Sequence, residues 1–341
     1  MIINSFQHKM AAHCETGSIT AALNFRGMDI SEPMIFGIGS GIFFGYFKTP
    51  RFAFPIFTVR SRPGDIRKNV SKLLGVKFHT ARYKCPEKAE KELDELLSRN
   101  IPVAVQVDFF YMDYVPPHER VHNNMHFIHI IGKNGTKYIV SDSYFPEIVE
   151  VESTSLTKGR FAKGSMAPKG FMYHLLDVPS SIDYEKAIIK GIKKACFYML
   201  KTPIPFIGVR GIFRFAEKLK QWPKYARDVE HLSHEVMKIH VLLEDQGTGG
   251  GGFRFIYATF LNQAAQILKN DTLKEMSEQM MLIGDKWRMV SLFAARIGKN
   301  RTLDENNMNE LSSLIKERAE EEKVFFNTLY NFAKKFSKRA L

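Results

Sequence analysis

Apolar residues recur at helical spacing directly after Cys14, and small residues fill the positions between them. The apolar positions are Ile19, Ala22, Leu23 and Phe25. This pattern predicts a helix that buries one face while its first turn meets solvent or a ligand. A helix N-terminus stabilises a thiolate, the form of cysteine that attacks carbonyl carbon. A single cysteine is more often a small buried apolar residue, so Cys14 needs partners to count as a nucleophile.

Two apolar runs joined by a turn predict a β-hairpin further along the chain. Residues 126–132 form the first strand, Asn134-Gly135 mark a tight turn, and residues 138–142 form the returning strand. The hairpin brings Asp142 back to the level of His126. A cysteine nucleophile needs a base and a group that orients the base. We therefore expect His126 and Asp142 to fill these roles, although a lone histidine on a strand is more often structural.

The loop before Cys14 offers two polar side chains for an oxyanion hole. Gln7 and His8 precede Cys14 by seven and six residues. Either side chain is close enough along the chain to lie beside the backbone amide of Cys14, where the two donors would stabilise an oxyanion. Either one equally fits an ordinary surface loop.

Two glycine-rich segments suggest ligand sites. Gly37, Gly39 and Gly41 suggest a dinucleotide fingerprint, but the third glycine is not at the spacing that this motif needs, and no strand–helix–strand unit surrounds them. We therefore expect close backbone packing there. The run Gly247–Gly252 opens a helix that contains Arg254. Free amides beside an arginine can bind a phosphate, and a close helix–helix crossing explains the same glycines.

Helical spacing dominates the chain after Pro179-Ser180-Ser181, whereas strands and helices mix before it. We expect an α+β domain over residues 1–178 and an all-α domain over residues 179–341. Two domains also suit a chain of 341 residues.

The three cysteines are far apart and odd in number, which gives neither a disulfide framework nor metal-ligand spacing. We expect a reducing, cytoplasmic setting with no bound metal. The start of the sequence lacks a signal-peptide pattern. The longest uncharged run, residues 33–47, is shorter than the roughly 20 apolar residues of a membrane helix.

The net charge of +13 suits an acidic partner, and no zinc-finger, RNP-like or leucine-heptad motif points to nucleic acid. Basic residues share helical faces after residue 181, and these faces suit either plain solvation or the docking of an acidic protein. They are Lys186, Lys190, Lys193 and Lys194 on one face, and Arg210, Arg214 and Lys218 on another.

The cysteine, histidine and aspartate stretches together resemble papain-like cysteine enzymes, bacteriocin-processing peptidases among them. The run from His13 to Gly17, followed by Ser31-Glu32 and by residues 36–41, resembles the N-terminal domain of the butirosin biosynthesis protein H family. Residues 246–254 resemble the helical domain that follows in that family. The resemblance covers nearly the whole chain and implies a papain-like α+β domain followed by a helical one.

The resemblance implies an acyltransferase of secondary metabolite biosynthesis, which moves an aminoacyl group from an acyl carrier protein to an aminoglycoside amine. Cys14 would be acylated, His126 would be the base and Asp142 its orienting partner. The phosphopantetheine would belong to the acyl donor, and no cofactor would be bound. Two departures stand out, since Ser143 replaces the usual proline after Asp142 and His8 replaces the glutamine of the peptidase pattern.

The site residues expected beside this triad, for the oxyanion or the substrate, are Gln7, His8, Glu15 and Arg254. The acceptor would be a small amine or hydroxyl compound. The same triad would also hydrolyse amides, esters or thioesters, which makes a hydrolase the second reading. In the third reading the chain is a binding protein on the same scaffold, with Cys14 only a packing residue.

Overall fold

The computed structural model of the chain describes residues 2–49 and 54–339, with side chains described as far as residue 336. The strands are β1 (Ile42–Phe47), β2 (Ile56–Arg60), β3 (Lys77–Ala81), β4 (Val103–Val107), β5 (His126–Asn134), β6 (Lys137–Ser141), β7 (Val149–Glu152) and β8 (Met172–Asp177). The helices are α1 (Cys14–Phe25), α2 (Glu32–Ile38), α3 (Asp65–Leu74), α4 (Pro86–Ser98), α5 (Ser153–Arg160), α6 (Tyr184–Cys196), α7 (Gly208–Leu219), α8 (Val229–His240), α9 (Arg254–Leu268), α10 (Asp271–Lys299) and α11 (Glu305–Arg339).

The chain divides into two compact units. The first unit contains Met1–Ile35 and Val70–Ile182, and the second contains Phe36–Asn69 and Asp183–Leu341. The last passage between the units therefore lies close to the expected domain boundary at residue 178. Residues 36–69 group with the C-terminal helices, whereas the expected division had two continuous segments.

A six-stranded antiparallel sheet forms the centre of the first unit, in the order β3-β8-β4-β5-β6-β7. The hairpin of β5 and β6 is confirmed, with His129 opposite Ser141, but Asn134 pairs with Lys137 and the turn is Gly135-Thr136, one residue later than expected. Strand β4 runs alongside β5 and places Val107 opposite His126. The ends of three neighbouring strands thus meet around His126.

Helices cover the central strands, which explains why those strands are apolar almost throughout. All five residues of β4 are buried. Helix α1 contacts β5 and β8, and helix α4 contacts β4 and β5. Leu93 and Leu96 of α4 share one apolar core with Val105 and Ile128 of the sheet. Helix α1 is therefore held in part by β5, the strand that carries His126.

The second unit pairs the short antiparallel strands β1 and β2, packs β1 against α7, and packs helices α6 to α11 against one another. Phe57 stacks on Phe215 at a ring-centre distance of 4.9 Å, and Tyr46 lies 5.2 Å from the same ring. These apolar strands find their aromatic partners some 150 residues further on, which explains why residues 36–69 join the C-terminal helices. Within residues 2–49 and 54–339, no helix combines the length and apolar character that a membrane crossing requires.

Candidate active site

Cys14 is the first residue of α1, and the preceding His13 has extended backbone angles. The cysteine is half-buried, and its sulfur lies 3.7 Å from the carbonyl oxygen of Met125. At this position the helix directs the N–H groups of its first turn toward the helix end. These groups and the helix dipole favour a negative sulfur. The structure confirms the predicted start of the helix at Cys14.

His126 is the first residue of β5 and is buried beside Asp142, which directly follows β6. The imidazole Nε2 lies 2.7 Å from Oδ2 of Asp142. This contact leaves Nδ1 as the ring nitrogen for Cys14, whose side chain hydrogen-bonds with the imidazole. The structure thus brings together the three residues Cys14, His126 and Asp142. His129, three residues along the strand, instead lies 3.4 Å from the hydroxyl of Ser18.

Asp142 is fully buried and is held by three donors. Oδ2 accepts from the His126 ring and from the Tyr114 hydroxyl at 2.9 Å, and Oδ1 accepts from the backbone N–H of Tyr144 at 3.0 Å. Burial alone would raise the pKa of this carboxyl, but the nearby imidazolium and the hydrogen bonds outweigh burial and lower the pKa. Asp142 therefore stays ionised and fixes the orientation of the ring.

The pKa of His126 is raised to about 10 by its two charged partners. Burial by itself lowers this pKa, and the charge and hydrogen bond of Asp142, followed by those of the Cys14 thiolate, outweigh burial. The ring of Phe109 packs edge-on against the imidazole at 4.9 Å. At neutral pH the imidazole beside Cys14 is therefore protonated.

His8 does not fit its expected role as an oxyanion donor. Its Nε2 donates to the carbonyl oxygen of Phe145 at 3.0 Å, and its Nδ1 lies 2.8 Å from the hydroxyl of Ser141. Both ring nitrogens are therefore engaged by the segment around Asp142. Spacing along the chain placed His8 near the site, but spacing alone did not determine the direction of the ring.

The other two candidates near Cys14 differ in exposure. Gln7 is exposed, and its role in an oxyanion hole stays a prediction. Glu15 is only 1% exposed in the first turn of α1, where the helix dipole favours a carboxylate. Burial leaves little of Glu15 for a substrate to contact, so a structural role explains this position better than the expected substrate contact.

Arg254 is wrong as a phosphate-binding candidate. Its side chain is fully buried, and its Nε and Nη2 donate to the carboxylate of Glu322 at 2.8 and 3.0 Å. Its Nη1 donates to the carbonyl oxygen of Gly252 at 2.6 Å. The same carboxylate accepts from Trp287. The guanidinium therefore belongs to a buried ion pair in the helical core, and a phosphate would have to displace Glu322.

The glycine run 247–252 serves close packing. The backbone N–H of Gly251 donates to Glu244 at 3.0 Å, which places a carboxylate where a phosphate would sit. A Cβ on Gly251 would lie 3.1 Å from the carbonyl oxygen of Gly284 on α10. Of the two explanations that the sequence left open, the close crossing is the one that the contacts favour.

Two residues that support the triad gave weak signals in the sequence. Tyr114 lies 28 residues before its partner Asp142, in a polar loop whose path no local pattern predicts. Gly17 lies about one turn after Cys14, and a Cβ there would approach Ala11 to 2.5 Å and the Ser143 hydroxyl to 3.1 Å. The backbone N–H of Ala11 also donates to the carbonyl oxygen of Ser143. A glycine at position 17 therefore lets α1 approach the segment that carries Asp142.

The geometry defines the class of the protein. A cysteine at a helix N-terminus faces a histidine–aspartate pair on neighbouring strands of an antiparallel sheet, which is the arrangement of papain-like cysteine enzymes. The chain is an α+β protein on this scaffold with a helical C-terminal region. Within the described part of the chain, no cluster of three or more His, Cys, Asp or Glu side chains suits a metal ion.

Comparison with known families narrows the class. The family model "Butirosin biosynthesis protein H, N-terminal" matches residues 13–143, and "Domain of unknown function (DUF4872)" matches residues 154–329. The second model covers more than half of the chain, so the chain belongs to the DUF4872 family, and its residues 13–143 match the N-terminal domain of butirosin biosynthesis protein H. The comparison with curated proteins gives no match.

One solved structure with a similar chain trace is described as a C39-like peptidase from Bacillus anthracis. It is 12% identical, covers 52% of this chain and 97% of its own, and has a TM-score of 0.36. Because this TM-score is low, the fold class stated above rests on the geometry of the site and on the family match.

Replacing Asp142 with Asn is expected to lower the pKa of His126, because the charge that raises it is removed. In the unsubstituted protein the folded-state pKa, about 10, lies above the ordinary 6.5. The imidazolium therefore stabilises the folded chain fully below about pH 6.5, and this contribution is lost as the pH rises through about 10.

An NMR titration of the histidine rings measures this shift. His129, whose pKa burial lowers to about 3, serves as the internal control because Asp142 is not among the causes of its shift. A His126 pKa that is the same in the Asp142→Asn variant would contradict the account.

Proposed function

We propose that this chain is a cysteine-dependent acyltransferase that moves an acyl or aminoacyl group from an acyl-carrier-protein thioester to an amine or hydroxyl through an acyl-Cys14 intermediate. The observation that carries the proposal is the contact of His126 with both Asp142 and Cys14 at the start of α1. The match of residues 13–143 to the N-terminal domain of butirosin biosynthesis protein H supports transfer over hydrolysis. The scattered cysteines lead us to place the reaction in the cytoplasm.

In the first step the Cys14 thiolate attacks the carbonyl carbon of the donor thioester and forms a new C–S bond. The oxyanion develops at the N-terminal end of α1, where the helix dipole and first-turn amides stabilise negative charge. The tetrahedral intermediate then breaks its bond to the donor sulfur. His126 gives its proton to that sulfur, and the carrier protein leaves as a thiol.

In the second step the acceptor amine or hydroxyl attacks the acyl carbon, and the now neutral His126 takes a proton from it. The bond to Cys14 breaks, the acyl group leaves on the acceptor, and the thiolate–imidazolium pair is restored. Asp142 keeps the ring in one orientation through both proton transfers. Water in place of the acceptor would turn the same steps into hydrolysis, which is why a hydrolase is the second candidate.

The distribution of charge supports an acidic carrier protein as the donor. We call the exposed part of residues 183–227, from the α6 cap to the residue before the α8 cap, the basic surface, because this segment contains eleven Lys and Arg against three Asp and Glu. This net +8 is most of the chain's +13. Phe197 and Phe206, 45% and 37% exposed, add apolar area among these cations. A surface of this kind suits an acidic protein that also presents apolar residues.

Turnover of an acyl-N-acetylcysteamine thioester with a panel of small amines tests the type of reaction. We expect amide product to exceed free acid with at least one amine, and Cys14→Ser to reduce thioester consumption by about 1,000-fold or more. Cys85→Ser is the matched control, since Cys85 is also half-buried and precedes α4 rather than α1. Free acid as the sole product would favour the hydrolase, and equal rates for the Cys14 and Cys85 variants would favour the binding protein.

Reversing the charge of Lys190 and Arg214, both exposed on the basic surface, tests the donor. We expect the Lys190→Glu/Arg214→Glu variant to raise the KM for an acyl carrier protein by about tenfold, with a steeper effect at low salt. Its rate with the small thioester should stay unchanged, because that donor lacks the acidic protein. An unchanged KM for the carrier protein would remove this surface from the proposal.

A further inference from the structure

The carboxylate of Glu32 lies against the turn that leads into Cys14. Glu32 is the first residue of α2 and is half-buried. Oε2 accepts from the backbone N–H of Ala12 at 2.9 Å, and Oε1 accepts from the backbone N–H of His13 at 2.8 Å. Oε1 also accepts from the hydroxyl of Thr16 at 2.8 Å. All three partners are donors, as an ionised carboxylate requires.

These three hydrogen bonds fix the chain on both sides of the nucleophile. Ala12 and His13 precede Cys14, whereas Thr16 lies in the first turn of α1. A single carboxylate therefore holds the turn and the helix end together at the point where the Cys14 side chain leaves the backbone. Charge-assisted hydrogen bonds of this kind are stronger than neutral ones.

A second contact holds the same turn from the direction of Asp142. The backbone N–H of Ala11 donates to the carbonyl oxygen of Ser143 at 3.0 Å. Ser143 is the next residue after Asp142, so this contact ties the cysteine turn to the segment that orients His126. Glu32 adds three side-chain hydrogen bonds to the turn that this backbone contact holds on the other side.

We propose that Glu32 is a positioning residue for the nucleophile, holding the 12–13 backbone and Thr16 so that the Cys14 sulfur faces the His126 ring. This inference rests on the proposed function, since it takes Cys14 to be the nucleophile. Glu32 acts through Cys14, and the reaction does not need Glu32 to contact the substrate.

Substitution of Glu32 should disturb the contact between Cys14 and His126, and the effect should grow with the number of hydrogen-bond acceptors that are lost. Glu32→Ala removes all three acceptors. Glu32→Gln keeps one carbonyl acceptor but turns an amide N–H group toward a donor, so at least one backbone N–H loses its partner. A turn that is displaced by about 1 Å separates the sulfur from the ring, and displacements of this size cost up to about 100-fold in rate.

The test is the rate of Cys14 alkylation by iodoacetamide between pH 5 and 10, followed by peptide mass mapping on the full chain in a Cys85→Ser background. The protein with native Glu32 should react well below about pH 8.5, where an ordinary thiol ionises. We expect Glu32→Gln and Glu32→Ala to react about 10- to 100-fold more slowly at pH 6.5, with profiles that move toward that of an ordinary thiol. The pH profile of alkylation in Thr16→Val should shift in the same direction as in the Glu32 variants, but by less.

Glu322→Gln is the matched control. Glu322 is fully buried and, like Glu32, accepts three hydrogen bonds, two from Arg254 and one from Trp287. This variant should melt at a lower temperature and keep the native alkylation profile. The comparison separates loss of stability from loss of positioning.

Each outcome bears on the proposal. Native-like alkylation profiles in both Glu32 variants, with lower melting temperatures, would overturn the positioning role and leave only a structural one. An ordinary thiol profile in the protein with native Glu32 would overturn the proposed function itself, and with it this inference. If Glu32→Ala fails to fold, Glu32→Gln and Thr16→Val decide the question by the same readout.

Discussion

The buried hydrogen bond between His126 and Asp142, 2.7 Å long, is the interaction on which the rest of the site depends. A carboxylate that is removed from water is costly unless donors surround it. The chain meets this requirement with the hairpin register, the Tyr114 hydroxyl and the backbone N–H of Tyr144. The protonated ring that results gives Cys14 a charged partner at the start of α1. Each element around the site thus has a definite electrostatic reason for its place.

The parts of the site that follow from local patterns could be predicted from the sequence. The spacing of apolar residues after Cys14 predicts the helix start, and the turn signal near Asn134 predicts the hairpin to within one residue. These two elements bring Cys14, His126 and Asp142 together. Contacts that depend on loop paths could not be predicted in this way. Tyr114 and Glu32 lie 28 and about 20 residues from their partners along the chain, and no periodic pattern in the sequence predicts the loops that bring them together.

Errors in the sequence predictions have a common physical cause. His8 and Arg254 are polar side chains with the right chemistry near a suggestive motif, yet acceptors within the fold engage both of them. A donor that finds a partner within the fold is no longer available to a ligand. Strands β1 and β2 show that apolar patterns have a similar limitation. Their pattern predicts that they are buried, but it does not predict which core buries them.

The central claim is that the thiolate of Cys14 accepts an acyl group from a thioester. Intact-protein mass after mixing with acyl-carrier and acyl-coenzyme A thioesters measures this most directly. The account predicts a mass increase equal to one acyl group, retained in Cys85→Ser and absent in Cys14→Ala. No mass increase with any thioester, or an increase that persists in Cys14→Ala, would contradict it.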